Sequence, residues 1–253
     1  MFFGKRKNST ENSSSPATTP VSTPAPETSS GHGISLKKAS ADLDKTIISL
    51  KKKGANLEGH RARVFVVIDI SGSMSHRFPN EVQEALTRIF PLALRFDDNG
   101  EMEVYVFDTR CHKLDEPMTL DNYETYVRKY ITSKYDICGG TRYAPVIEDT
   151  INDYDDGSKD PAFGIIITDG DPQDRETTNK MIRRSAEYRL FYKFVGIGYE
   201  RFSYLEELDD LTGRPVDNTA FIKVSEISNW DNEQLYTNLL DQYPDWLKAM
   251  HLI

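Results

Sequence analysis

The stretch that decides the fold reads Arg63-Val-Phe-Val-Val-Ile-Asp-Ile-Ser-Gly-Ser73. Its apolar run at residues 64–68 is continuous instead of alternating with polar residues, so a strand formed there must be buried on both faces. Such burial is typical of a central strand in a parallel sheet. Residues 162–168, Ala-Phe-Gly-Ile-Ile-Ile-Thr, repeat the pattern and predict a second fully buried strand.

Strand patterns alternate with helical patterns along the chain around these two stretches. The pattern predicts strands at 63–69, 103–107, 162–168, 190–197 and 219–224, and helices at 80–96, 123–130, 143–154, 177–188 and 204–211. This alternation predicts a doubly wound α/β fold over residues 61–253, in which a mostly parallel, Rossmann-like central sheet carries helices on both faces. The ligand site of such a sheet is expected outside the carboxyl ends of its strands.

The region before residue 61 has a different composition. Residues 1–33 form a tail rich in Ser, Thr and Pro, which has too little apolar surface to fold and is predicted to be disordered. Residues 34–60 contain Ile-Ser-Leu-Lys-Lys at 34 and again at 48, and this spacing predicts a basic amphipathic helical leader. Its apolar stripe could dock on its own domain or a partner; contact of residues 34–53 with an anionic membrane surface is the less favoured alternative.

Charge and cysteine usage narrow the functional classes. The net charge is −9, but residues 1–60 carry nine basic and five acidic side chains, so the remainder is more acidic, at about −13. An acidic domain repels phosphate backbones, and no nucleic-acid partner is expected. Cys111 and Cys138 lack metal-ligand spacing, and the amino-terminal residues lack the apolar stretch of a secretory signal. These features predict a cytoplasmic protein.

Three polar segments fall at the predicted site edge of the sheet. They are Asp69-Ile-Ser71-Gly-Ser73 after the first buried strand, Gly139-Gly-Thr141 before a helix, and Thr168-Asp169-Gly170 after the second buried strand. Hydroxyl oxygens with only two carboxylates suit a hard divalent cation and leave a position open for an anionic ligand. Mg²⁺ is the expected ion, and Mn²⁺ or Ca²⁺ accepts the same donors. The competing interpretation is that the Asp and Ser residues only cap a helix.

The order DxSxS, then Thr, then Asp resembles the metal-ion-dependent adhesion site of von Willebrand factor A (vWA) domains. A closer similarity is to the vWA domains found with bacterial tellurium-resistance and stress proteins. It is carried by residues 67–74, 93–100, 139–146, 169–172, 194–198, 216–218 and 243–246. The resemblance implies that Ser71 and Ser73 contact the metal, that Thr141 and Asp169 contact it directly or through water, and that Asp69 mostly orients water and hydroxyls.

The resemblance implies a non-enzymatic interaction module that binds an acidic side chain of a protein partner through the cation. Its expected setting is a bacterial response to tellurite, other chemical stress or phage, and other tellurium-resistance proteins are candidate partners. Two alternatives stay open. One is a metal-dependent hydrolase or phosphatase, for which Asp171 is the nearest candidate base. The other is a metal-free scaffold whose polar cluster is structural.

Overall fold

The computed structural model describes residues 35–253, and the predicted disorder of residues 1–33 lies outside this range. A single sheet of six strands runs through it in the order β3-β2-β1-β4-β5-β6. The strands are β1 (Arg63–Asp69), β2 (Glu103–Phe107), β3 (Cys111–Lys113), β4 (Ala162–Thr168), β5 (Leu190–Ile197) and β6 (Thr219–Val224). All neighbours pair in parallel except β2 and β3. The predicted doubly wound α/β fold is confirmed.

Helices cover both faces of the sheet because β1, β4 and β5 present apolar side chains in both directions. They are α1 (Leu36–Lys52), α2 (Asn80–Phe96), α3 (Ala144–Tyr154), α4 (Arg175–Ser185), α5 (Ser203–Asp209), α6 (Asn232–Leu239) and α7 (Tyr243–Ala249). One core contains Val64, Val66 and Ile68 of β1 together with residues of α1, α2, α6 and α7. The other core contains Phe65 and Val67 with residues of α3, α4 and α5.

Two local features differ from the sequence prediction. The helix expected at residues 123–130 is instead a short 3₁₀ turn, Tyr123–Thr125, followed by a π-helical turn, Val127–Ile131. Tyr and Thr have modest helix propensity, and burial of Tyr126 and Val127 fixes the local backbone instead. The antiparallel edge strand β3 was not predicted, since its three residues, Cys-His-Lys, have neither the length nor the apolar alternation of a strand.

The predicted basic helix is present as α1 and packs on its own domain. Ala39, Leu43 and Ile47, spaced four residues apart, are buried against the core formed with α2 and α6. The outward face carries exposed lysines. The boundary at residue 60 between leader and domain stays a prediction. Among residues 35–253, no helix is long and apolar enough to cross a bilayer.

A buried polar network fastens α1 to the two helices beneath it. Asp42 of α1 accepts a hydrogen bond from Asn232 Nδ2 of α6 at 3.1 Å, and Asn232 Oδ1 accepts one from Arg88 Nε of α2 at 3.1 Å. Lys38 and Lys45 also donate to Asp42, at 2.8 and 3.0 Å. The hydrogen bond from Lys38 is the main cause that lowers the pKa of Asp42 to about 2. Every charged member of the network therefore has a partner.

We expect Asp42→Ala to lower the free energy of unfolding by about 2 kcal/mol, because Asn232 loses a buried charged acceptor. The pKa of Asp42 is depressed in the folded state, so its contribution is complete above the unfolded value of 3.8 and declines as the pH falls toward 2. Urea unfolding of both proteins at pH 7, 4 and 3 measures this difference.

Asp44→Ala is the matched control. Asp44 is exposed and pairs with Arg95, and its loss should cost about 0.5 kcal/mol. Equal losses in the two variants would contradict the network.

Candidate metal centre

The site lies at the carboxyl edge of the sheet because β1 and β4 are parallel neighbours that end side by side. Ile68 pairs with Ile167 in the register, so the next residue of β1, Asp69, and the segment that leaves β4 emerge together. Asp69 is fully buried and Asp169 is nearly so. Parallel pairing thus places two carboxylates close to each other in a region with little water.

Four of the five predicted ligands form one connected cluster. Ser71 Oγ lies 3.2 Å from Ser73 Oγ, and Ser73 Oγ donates a hydrogen bond to Asp169 Oδ1 at 2.7 Å. The backbone N–H of Ser71 donates to Asp69 Oδ1 at 2.8 Å. The hydroxyls and carboxylates predicted from the DxSxS and Asp segments therefore converge on one point.

Thr141, the fifth predicted ligand, is brought to the same place by backbone bonds. Gln173 N donates to Thr141 O at 2.9 Å, and Gly72 N donates to Gly139 O at 3.3 Å, so the Thr141 loop is tied to both other loops. The side chain of Thr141 is 8% exposed, and within residues 35–253 its hydroxyl bonds to none of the other four ligands. That hydroxyl is therefore available to another partner.

The two glycines before Thr141 allow this close approach of the loops. Gly139 has φ = 92°, a left-handed conformation that favours glycine, and a Cβ there would lie 3.0 Å from Asp108 Oδ2. A Cβ on Gly140 would lie 2.7 Å from the side-chain amide of Gln173. A larger residue at position 139 would strain the backbone of the Thr141 loop, whereas one at position 140 would displace the end of the Gln173 side chain.

The electrostatics of the cluster favour a cation. Burial raises the pKa of Asp69 to about 6, and it also raises the pKa of Asp169. In the described chain, the guanidinium of Arg77 is the one cationic group within 4 Å of either carboxylate, with Nε 3.9 Å from Asp169 Oδ2. A buried carboxylate without a close counter-charge is costly, so a hard cation at this point would stabilise both acids.

The donor set fits a divalent cation of the Mg²⁺ type. It consists of oxygen only, with three hydroxyls and two carboxylates, which matches a hard ion and excludes the thiolate and imidazole sites preferred by softer metals. Residues 35–253 contain no group of three or more His, Cys, Asp or Glu side chains placed to hold a metal. A cation at this point would therefore depend on the three hydroxyls.

Sequence reasoning missed the residues that hold the ligands in place. Thr168 Oγ1 donates to Asp69 Oδ2 at 2.6 Å, and Tyr143 OH donates to Thr168 Oγ1 at 3.2 Å. Asp174 accepts from the backbone N–H groups of Tyr143 and Ala144 at 3.1 and 3.0 Å and so caps α3, the helix that follows Thr141. The sequence places Thr168 in the polar segment 168–170, but it gives no sign of the hydrogen bond to Asp69. Asp174 gave no signal, because it caps a helix 30 residues away.

Asp171, the candidate base of the hydrolase alternative, is engaged elsewhere. Its Oδ2 accepts hydrogen bonds from Ser203 Oγ at 3.1 Å and from Tyr204 N at 3.0 Å, and it forms an ion pair with Arg175 at 2.9 Å. These donors occupy Oδ2 and fasten the β4 loop to the start of α5, whereas Oδ1 is buried and has no hydrogen-bond partner within the described residues.

Comparisons with known proteins agree with this architecture. Residues 61–252 match the sequence model of the vWA-TerF-like family, described as the vWA found in the TerF C terminus. The uncharacterized protein YcbR of Bacillus subtilis is 34% identical over 215 residues, which is 83% of this chain and 87% of that protein.

Two solved structures share the fold at low identity. The manganese-loaded TRAP protein of Plasmodium vivax aligns with a TM-score of 0.52 and 13% identity, over 73% of this chain and 74% of that chain. Proximal thread matrix protein 1 from the mussel byssus, with a zinc-occupied MIDAS motif, aligns with a TM-score of 0.51 and 18% identity over 72% of this chain. The chain spans 46% of that byssus protein, less than half of its length. Both likenesses extend to the fold alone.

We expect Thr168→Val to weaken Mn²⁺ binding by about 10-fold or more, because Asp69 loses the hydroxyl that orients its Oδ2. Calorimetric titration of the purified protein with Mn²⁺ measures the change. The matched control is Thr150→Val: Thr150 of α3 is equally buried, and its hydroxyl lies 2.9 Å from the hydroxyl of Tyr192 on β5 instead of contacting the site. The control should lose stability but keep its Mn²⁺ affinity. An unchanged affinity in Thr168→Val would show that Asp69 does not need this support.

Proposed function

This chain belongs to the vWA-TerF-like family, and from that membership we propose that it is a protein-interaction module. In this proposal a divalent cation, Mg²⁺ first and Mn²⁺ or Ca²⁺ by the same donors, joins the domain to a carboxylate of a partner protein. The residues proposed to hold the cation are Asp69, Ser71, Ser73, Thr141 and Asp169.

The observation that carries the proposal is the chain of contacts from Ser71 through Ser73 to Asp169, beside the buried Asp69. When bound, the cation supplies a coordination position that is open to an outside carboxylate. Two carboxylates balance its two charges, so a further anionic ligand is not repelled by surplus negative charge at the site. The domain's own residues orient the donors and exclude water, and the same fold is manganese-loaded in the TRAP protein and zinc-occupied in the byssus protein.

A binding role is preferred over hydrolysis because of what surrounds the site. General-base catalysis needs a group that can accept a proton near the reacting atoms. Asp171 is the nearest acid of the three loops outside the proposed ligand set, and the hydrogen bonds from Ser203 and Tyr204 and the ion pair with Arg175 hold its Oδ2 away from that role. We therefore propose a non-enzymatic module and rank the metal-dependent hydrolase below it. A metal-free scaffold ranks below both, because it would leave two carboxylates buried beside a single arginine.

The cellular setting is part of the same proposal. The family name refers to TerF, which supports a role beside tellurium-resistance proteins in the response to tellurite, other chemical stress or phage, with other members of that group as partners. We further propose a cytoplasmic location. The two cysteines are free, and Cys138 is exposed, which suits a reducing compartment.

We expect the protein to bind Mg²⁺ and Mn²⁺ and to gain thermal stability from them, by about 2.7 kcal/mol at a cation concentration 100 times the dissociation constant. Ser73→Ala should lose most of this gain, because it removes one proposed ligand and its hydrogen bond to Asp169. Calorimetry and thermal unfolding with and without EDTA measure both effects.

Ser75→Ala is the matched control for that experiment. Ser75 is exposed, lies two residues further along the same 3₁₀ turn, and is outside the proposed ligand set. It should behave as the wild type does. No response of the wild-type protein to either ion at millimolar concentrations would reject the cation site and favour the metal-free scaffold.

We expect the Mn²⁺-loaded protein to bind small carboxylates. In water-proton relaxation measurements, adding N-acetyl-aspartyl amide should lower the enhancement caused by bound Mn²⁺, because its carboxylate replaces water on the ion. N-acetyl-asparaginyl amide has nearly the same shape without the charge and should leave the enhancement unchanged. Equal effects of the two compounds would argue against carboxylate capture even if the cation binds.

A further inference from the structure

Arg77 is a buried cation next to the proposed metal site. It is the last residue of the 3₁₀ turn Gly72–Arg77, which also carries Ser73, and it is only 7% exposed. Its Nη1 donates to Glu81 Oε2 at 2.8 Å, one helical turn further on. Its Nε is buried and has no hydrogen-bond partner within residues 35–253. The carboxylate oxygen Asp169 Oδ2 lies 3.9 Å from that Nε.

The carboxylate of Asp169 faces two different environments. Its Oδ1 accepts the hydrogen bond from Ser73 Oγ, which is one of the proposed cation ligands. Its Oδ2 faces Arg77. The positive charge of Arg77 and the cation would therefore share one carboxylate.

The other charged groups around Arg77 are acidic, apart from the neighbouring His76. Glu81 pairs with its Nη1, and the loop after β5 brings Glu200 near its Nη2. The Arg77 guanidinium and the Glu200 carboxylate both lie against Gly198, where a Cβ would be 2.5 Å from Arg77 Nη2 and 2.2 Å from Glu200 Oε2. Gly198 also has φ = 124°, so glycine is favoured there on two counts. The space that a side chain at residue 198, directly after β5, would take is occupied by Arg77 and Glu200.

We propose that Arg77 is a resident counter-ion that neutralises Asp169 when no cation is bound and thereby lowers the affinity of the site for divalent cations. This inference rests on the proposed function, since it assumes that the cation binds at these residues. Arginine stays protonated under all ordinary conditions, so its charge is permanent. Buried charges are poorly screened by water and salt, and Arg77 consequently stabilises the cation-free carboxylate and repels an incoming cation.

The counter-ion role and a merely structural role predict opposite signs. If Arg77 only shaped the turn that carries Ser73, its removal would misplace a ligand and weaken cation binding. If Arg77 acts through its charge, its removal destabilises the cation-free domain and strengthens cation binding. The two quantities can be measured on the same samples.

The test compares Arg77→Met with the wild type in calorimetric titrations with Mn²⁺ and in thermal unfolding with EDTA. We expect the Mn²⁺ dissociation constant to fall by about 10-fold, because the repulsion is lost. We expect a lower unfolding midpoint in EDTA, and a smaller decrease for Arg77→Met in an Asp169→Asn background, where only the pairing of Arg77 with Glu81 is lost. An affinity for Mn²⁺ that is equal to or weaker than the wild-type value would overturn the inference.

Two controls separate charge from shape. Arg77→Lys keeps the charge and should keep an Mn²⁺ affinity close to that of the wild type. Arg95→Met removes one arginine from the far end of α2, where it pairs with Asp44, and should leave the Mn²⁺ affinity unchanged. A tenfold gain in Arg95→Met would mean that net charge alone matters and would count against Arg77.

A second variant covers the case in which Arg77→Met does not fold. Glu81→Gln leaves Arg77 without its strongest partner and should weaken Mn²⁺ binding, whereas Glu84→Gln, one turn away on α2 and beside Arg88, should not. Equal affinities in these two variants would overturn the inference. Failure of the proposed function looks different, because the wild-type protein itself would then release or absorb no heat on titration with Mn²⁺. The effect of Arg77 and Asp169 on each other's contribution to the unfolding midpoint in EDTA could still be measured.

Discussion

The burial of Asp69 and Asp169 at the ends of two adjacent parallel strands is the constraint on which the site depends. Carboxylates are seldom placed in such positions, because removing a charge from water is costly unless another group compensates for it. Much of the polar structure near this edge supplies that compensation. Ser71 N and Thr168 Oγ1 donate to Asp69, and Ser73 Oγ donates to Asp169. Asp169 also has the guanidinium of Arg77 3.9 Å from its Oδ2, whereas Asp69 has no cationic side chain within 4 Å in the described residues, and the proposed divalent cation would supply the missing positive charge.

The compensation is rigid because the donors come from elements fixed by the core. Thr168 ends β4, a strand whose seven residues are all buried, so its hydroxyl cannot move without moving the sheet. Tyr143 is fully buried and bonds to Thr168 Oγ1 and to Gly170 O, which links the Thr141 loop to the loop after β4. Asp174 then fixes the start of α3 from the opposite side. Ligands held in this way keep their geometry without a bound ion, which lowers the entropic cost of binding one.

The sequence predicted the parts of the structure that follow from local rules. Continuous apolar runs identified β1 and β4, and the rule that parallel strands end at one edge placed Asp69, Ser71, Ser73 and Asp169 together. Thr168, Asp174 and Arg77 escaped prediction because their roles depend on contacts between segments far apart in the chain, such as Thr168 with Asp69. The network of Asp42, Asn232 and Arg88 escaped for the same reason. The short strand β3 lies below the length at which periodicity can be recognised, and the helix predicted at 123–130 was wrong because burial of Tyr126 and Val127 fixes the backbone there.

The charge of the domain constrains how a partner can bind. Residues 61–253 carry a net charge of about −13, so the acidic partner proposed above would be repelled at long range and attracted only close to the proposed cation. If Arg77 also keeps the affinity for the free cation low, neither ligand binds strongly alone. The coupling between two ligands is reciprocal. If a partner carboxylate strengthens the binding of the cation, the cation strengthens the binding of the carboxylate by the same factor. The cation and the acidic partner would then bind together, and the domain would stay largely free of the cation until the partner is present.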